Sequence, residues 1–254
     1  MGVPSPIYPR MPRQLPYSLG FSRYFLSFNG GNCVRVLHSD NLHISDKLVI
    51  ELLLRGGTQP DSWGKIIFKD ALPSGFQVQV YGSGPDICLR LDTDTALNQI
   101  VGVITALDEV WHHIVYAIDT GVVRTYRDRT FITEESYDHG AGLANTEDLY
   151  IACRSLGTAH TVVDIAFVRI YDEELFTWLT NSGLSLDWFV QYNMLHYHNP
   201  VRRGLVLWLP FEEGTGLTAY DHSGMENHGS LLPEDDPPTW ERVKMWELRV
   251  EVGL

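Results

Sequence analysis

No apolar run in the 254-residue chain approaches the ~18 residues that a membrane-spanning helix requires, which argues against helical insertion into a bilayer. Cysteine is scarce: Cys33, Cys88 and Cys153 stand far apart with no CxxC pair. That spacing supports neither a zinc site nor a disulfide framework, and it suits buried free thiols. The N-terminus lacks an apolar core for a secretory leader. Pro4, Pro6, Pro9, Pro12 and Pro16 interrupt it, so no signal peptide is expected. Basic charge is short as well. Lys and Arg number 19 against 32 Asp and Glu, for a net charge of −13. The first 23 residues hold Arg10, Arg13 and Arg23 and no acid, which leaves −16 on the remainder. Such a body offers no basic face for a phosphate backbone, so nucleic acid is not an expected partner.

Catalytic signatures are missing too. There is no GxSxG, no HExxH and no phosphate-cradling glycine loop. A glycosidase built on a β-sandwich needs carboxylates at alternating strand positions facing a groove. Glu134, Glu135 and Asp138 have the wrong spacing and fall in a turn, and Glu51 stands alone in an apolar strand. Histidines form no metal cluster by pattern. His112 and His113 are adjacent on a strand and so point to opposite faces, while His196 and His198 flank Tyr197 near a helix end. A non-enzymatic protein is expected.

What the chain has in quantity is short apolar runs separated by turn residues, with 22 Gly and 13 Pro among them. Residues 1–22 read as an extended, proline-spaced basic arm without an apolar face. Arg23–Phe28 and Cys33–Leu37, joined by Asn29-Gly30-Gly31-Asn32, have the chemistry of a hairpin. Leu48–Leu54 is apolar on both faces and therefore central. Strands follow at 64–68, 76–81, 87–91, 99–105, 111–118, 121–127, 131–133, 149–152 and 161–171. So many short strands with almost no helix between them predict an antiparallel sandwich over 23–172.

Residues 173–203 turn helical. Asp172 and Ser185 are placed to cap two short helices. On the second, Trp188, Phe189, Tyr192 and Leu195 form a stripe that either docks on the sandwich or meets a partner. The segment 204–254 then opens on GLVLWLPFEEGTGLTAYDHSGMENHG, a strand apolar on both faces followed by a polar turn-rich loop. Leu207, Trp208 and Leu209 are predicted core, as is Trp111. The run 239–252 reads as one or two half-buried strands.

These segments carry a family resemblance. Residues 27–54, SFNGGNCVRVLHSDNLHISDKLVIELLL, are similar to the early strands of LamG-like jelly rolls, within the concanavalin A-like lectin and glucanase group. Residues 111–129, WHHIVYAIDTGVVRTYRDR, resemble that family's WHH strand pair, and 163–175, VDIAFVRIYDEEL, its closing strand. Residues 204–229 resemble its opening strand and loop, displaced here to the C-terminal side. The resemblance implies an all-β, concanavalin A-like antiparallel jelly roll with an N-terminal arm and a helical segment before a returning strand. A run apolar on both faces is expected to keep a central place. The displaced strand can fold back onto its own sandwich or cross into a neighbour's, with short distances between domain termini favouring its own. The resemblance also implies calcium at Asp221 and Asn227, helped by Asn29, although Asn29 stands where an aspartate is common; a hydrogen-bonded Asx turn is the alternative.

Two functions from different classes follow. One is a structural assembly protein of a virus or phage particle, self-associating or meeting other particle proteins through the arm with Arg10, Arg13 and Arg23. The other is a glycan-binding or adhesive module using exposed aromatics. Trp63, Tyr81, Tyr137 and Trp178 are the candidates, each of which serves equally well as packing.

Overall fold

A computed structural model describes residues 24–44, 46–57, 59, 63–155 and 158–242. The arm, with Arg10, Arg13 and Arg23, and the later part of the 239–252 run lie outside the described residues. The first strands are β1 (Tyr24–Asn29), β2 (Cys33–Val36), β3 (Lys47–Arg55), β4 (Lys65–Ala71), β5 (Ser74–Val80) and β6 (Asp86–Asp92). Next come β7 (Gln99–Thr105), β8 (His112–Asp119), β9 (Val122–Arg127), β10 (Thr130–Ser136), β11 (Leu149–Ile151) and β12 (Val162–Tyr171). Helices α1 (Glu173–Ser182) and α2 (Leu186–Leu195) precede β13 (Leu205–Leu209), β14 (Thr218–Ala219), β15 (Gly229–Leu232) and β16 (Thr239–Arg242).

The strands form two antiparallel sheets that face each other as a jelly-roll sandwich. One runs β10-β9-β8-β3-β12-β1-β16, with β13 also on β12; the other runs β14-β15-β2-β11-β4-β5-β6-β7. Strand β3 shows why some runs are apolar throughout. Leu48, Ile50, Leu52 and Leu54 enter the core between the sheets. Val49 faces the helices instead, beside Leu175, Leu179, Phe189 and Val190. The helical connection thus covers the outer face of the first sheet.

Two expectations need correction. The turn at 29–32 does not close a hairpin. β1 pairs with β12 and β16 in one sheet, whereas β2 pairs with β11 and β15 in the other. Leu26, Phe28, Val34 and Val36 all enter one core, so the turn carries the chain across it. Gly30, at a φ of 85°, and the Gly31 N–H bonded to Asn29 Oδ1 at 2.8 Å make the reversal. Nor is β13 flanked by two strands. It pairs within its own chain with Val168–Tyr171 of β12, end to end with β1, which takes Val162–Ile165. The free edge of β13 is met by loop 221–228: Trp208 N–H donates to Asp221 Oδ1 at 2.9 Å and Trp208 C=O accepts from His222 N–H at 2.7 Å. A loop in place of a strand satisfies the backbone of that edge. All five β13 residues are buried, Trp208 at 3% exposure, as is Trp111.

The helices start as their caps require. Asp172 accepts from Glu174 N–H at 2.9 Å and Ser185 Oγ from Trp188 N–H at 3.1 Å. The docked face of α2 is Phe189, Val190, Asn193 and Met194, so the predicted stripe splits. Phe189 goes inward, while Trp188 stacks on Tyr192 at 4.9 Å between ring centroids. Under this face lies a charged cluster. Glu51, Arg169 and Asn193 are all fully buried. Glu51 accepts from Arg169 Nη1 at 3.1 Å, from Asn193 Nδ2 at 2.9 Å and contacts His113 Nε2 at 2.8 Å. Asn193 Oδ1 in turn accepts Val201 N–H at 2.9 Å. Glu51, the lone carboxylate of an apolar strand, is therefore the anchor between sheet and helices. His112, on the opposite face, lies between Asp128 at 2.7 Å and Asp108 at 2.9 Å.

Candidate functional site

The outer face of the second sheet is built by strand alternation. Val78, Val80, Ile87, Leu89 and Leu91 point into the core, which turns Gln77, Gln79, Tyr81, Cys88, Arg90 and Asp92 outward. Register then sets them in rows. Lys65, Gln79 and Cys88 are opposed across β4, β5 and β6, and so are Phe68, Gln77 and Arg90. Tyr150 and Arg35 extend the second row onto β11 and β2. Lys65 Nζ donates to Gln79 Oε1, and the Arg154 guanidinium lies 5.7 Å from the Phe68 ring centroid. Lys65, Gln77 and Gln79 are buried, forming a floor, while Trp63, Tyr81 and Arg154 are exposed.

At one end of this floor stand the aromatics. Trp63 and Tyr81 meet edge to face at 5.7 Å, and they are 46% and 39% exposed. Two of the four predicted aromatics are thus brought together beside Lys65 and Gln79. The other two serve packing. Tyr137 joins the main core, and Trp178 packs with the helices, 6.1 Å from Trp188.

At the other end two carboxyls meet. Asp70 and Asp92 both oppose Gly75. A Cβ there would stand 2.5 Å from Asp70 Cα, so only glycine lets the strands approach this closely. Burial, together with the Asp92 carboxyl bonded to it, pushes Asp70 up to about 6. Asp92 is held by Arg90 at 2.8 Å. Among the described residues Gln77 Oε1 and Asp70 Oδ1, both buried, have no hydrogen-bond partner.

The predicted calcium ligands lie elsewhere. Asp221 and Asn227 are together in the loop against β13, joined by Asn227 N–H to Asp221 Oδ2 at 2.9 Å. Asn29 contacts Asp236 at 3.3 Å. Asp221 already accepts from Trp208 N–H, Ser223 N–H, Ser223 Oγ–H and Asn227 N–H. Asn227 Oδ1 accepts from Ser39 Oγ–H at 2.6 Å. A cation would have to displace these donors, so the residues present do not fit one. Among the described residues there is no group of three or more His, Cys, Asp or Glu placed to hold a metal.

Pattern reading missed Lys65, Gln77, Gln79, Arg90 and Arg154. The signal available was the alternation in FQVQV and ICLRL, which sets polar residues on one face of adjoining strands.

The family model described as the concanavalin A-like lectin/glucanases superfamily matches residues 29–177, more than half of the chain. No curated protein matches the sequence. Among solved structures, a provisionally assigned carbohydrate binding protein from Bacteroides ovatus is similar in fold at 12% identity and a TM-score of 0.60, covering 83% of this chain and 58% of its own. The binding domain of Paraclostridial Mosquitocidal Protein 1 follows at 10% identity, a TM-score of 0.51 and coverage of 70% and 47%. A heptameric SAP-like pentraxin from Limulus polyphemus shares 11% identity at a TM-score of 0.51, with coverage of 68% and 82%. The chain therefore spans about half the length of the first two. No helix among the described residues is long and apolar enough to cross a membrane.

Proposed function

The chain belongs to the concanavalin A-like lectin/glucanase superfamily, and on that footing we propose that it binds carbohydrate, without turning it over, on the outer face of its second sheet. The observation that carries this is the exposed Trp63–Tyr81 pair beside the polar floor of Lys65 and Gln79. Sugars present apolar C–H faces and hydroxyl edges, so an aromatic plane next to amides matches both. The assignment of the Bacteroides ovatus neighbour supports the same ligand class. The chain has no run of carboxylates at alternating strand positions, which favours binding over hydrolysis. In a glycan array followed by calorimetry, Trp63→Ala should weaken binding about tenfold or more while thermal stability stays unchanged, because the ring is exposed. Equal binding by wild type and variant would overturn the site.

A separate reading concerns the basic arm, residues 1–22, which we propose mediates self-association or contact with particle proteins. Charge supports it: the arm with Arg10, Arg13 and Arg23 is basic, and the remainder of the chain carries −16. Light scattering should then give a smaller mass once residues 1–22 are removed. An unchanged mass would leave the arm without that role.

A further inference from the structure

Resting on the carbohydrate reading, we propose that the glycan is acidic, with its anionic group held by Lys65 and Arg154 beside Trp63 and Tyr81. In this chain of net charge −13, half of the described cations have an acid at ion-pair distance, and on the first sheet most do. Arg55 has Asp164 at 2.6 Å, Arg124 has Glu134 at 2.6 Å and Lys47 has Asp119 at 2.7 Å. On this face the pattern breaks. Among the described residues Lys65 and Arg154 have no carboxylate at ion-pair distance, and Arg90 has only Asp92. Lys65, 6% exposed, has the amide oxygen of Gln79 as its hydrogen-bond acceptor.

The cations also act on one another. Burial, with Arg90 and Arg154 pushing the same way, brings Lys65 down to about 8, and Cys88 and Asp70 do not offset this. A like-charged group left unneutralised in an acidic protein lacks an anion. A carboxylate or sulfate on a sugar would supply it through charge-assisted hydrogen bonds, which a hydroxyl cannot match. The acidic pair takes Arg90 and lies toward the other end of the face. Asp70 is five residues from Lys65 along β4, about 15 Å away at strand rise. The face is thus graded, cationic beside the aromatics and acidic at the far end.

The test is calorimetry on the full chain with three oligosaccharides of equal length: an oligogalacturonate, a heparin-derived sulfated oligosaccharide and a neutral cello-oligosaccharide. At least one acidic probe should bind about tenfold tighter than the neutral one, and the stronger acidic probe identifies the anion. That advantage should shrink in high salt and fall as pH rises through about 8, where Lys65 loses its charge. Arg154→Gln, at an exposed position, should cost about tenfold for the acidic probe and nothing for the neutral one. Lys65→Met should act in the same direction. A neutral probe that binds as tightly as the acidic ones, and is lost in Trp63→Ala, would sink the anionic ligand and keep the carbohydrate site. Unchanged acidic binding in Arg154→Gln would do the same. If no probe binds, both readings fall.

Discussion

Glu51→Ala is expected to lower stability by about 3–5 kcal/mol, the range for stripping one partner from a buried ion pair. The substitution leaves the Arg169 guanidinium fully buried with the Tyr197 carbonyl and aromatic faces, Phe167 at 4.2 Å among them, but no counter-charge. It also frees Asn193 from its hold on Glu51 and so loosens α2 from the sheet. Urea denaturation should show the midpoint falling. Replacing Glu51 and Arg169 together with methionine should cost less than either single change, since no charge is stranded. An unchanged midpoint in Glu51→Ala would refute the anchor.

The same cluster sets an acid response. Burial alone would raise the Glu51 carboxyl, but Arg169, His113 and Asn193 outweigh it and hold the group down to about 2. A carboxyl with a folded pKa below its unfolded value contributes fully above the unfolded one, near 4.5. That contribution is lost as pH falls through about 2. Wild type should therefore lose stability between these limits more steeply than Glu51→Gln.

The second large effect is at Trp208. Trp208→Ala should cost about 3–5 kcal/mol, as large-to-small changes in a packed core do. The ring lies among Tyr171, Leu205 and Phe189, with the guanidiniums of Arg202 and Arg169 at 4.6 and 5.2 Å from its centroid. Truncation removes apolar burial and both cation–π contacts. Trp63→Ala is the internal contrast, an equal change in chemistry at an exposed rim. One tryptophan should govern unfolding and the other binding. A thermal midpoint for Trp208→Ala within a degree of wild type would contradict its burial.

Legibility of these features in the sequence followed physical uniqueness. Strand β7 coincides with its predicted bounds, and β3 is central because an all-apolar run has no other place. The 29–32 turn was misread because Asn-Gly chemistry reverses a chain equally well within a sheet or between sheets. Only the partners of β1 and β2, over a hundred residues away, decide between them. The site was half visible. Trp63 and Tyr81 were nameable as aromatics, but Tyr137 and Trp178 were indistinguishable from them without burial. Lys65, Gln79 and Arg90 looked like ordinary solvated strand positions, since their alignment depends on register across β4, β5 and β6.

The end-to-end seating of β1 and β13 on β12 bears on synthesis. Strands β13 and β15 follow the family-matched segment, yet they pair with β12 and β2 inside it, and β16 pairs with the part of β1 that precedes it. During translation the nascent sandwich therefore waits with open edges on both sheets until its last strands leave the ribosome. Such edges are templates for pairing with other chains. Expressed alone, residues 29–177 would retain those open edges permanently, and the segment defined by family likeness is smaller than the unit that folds.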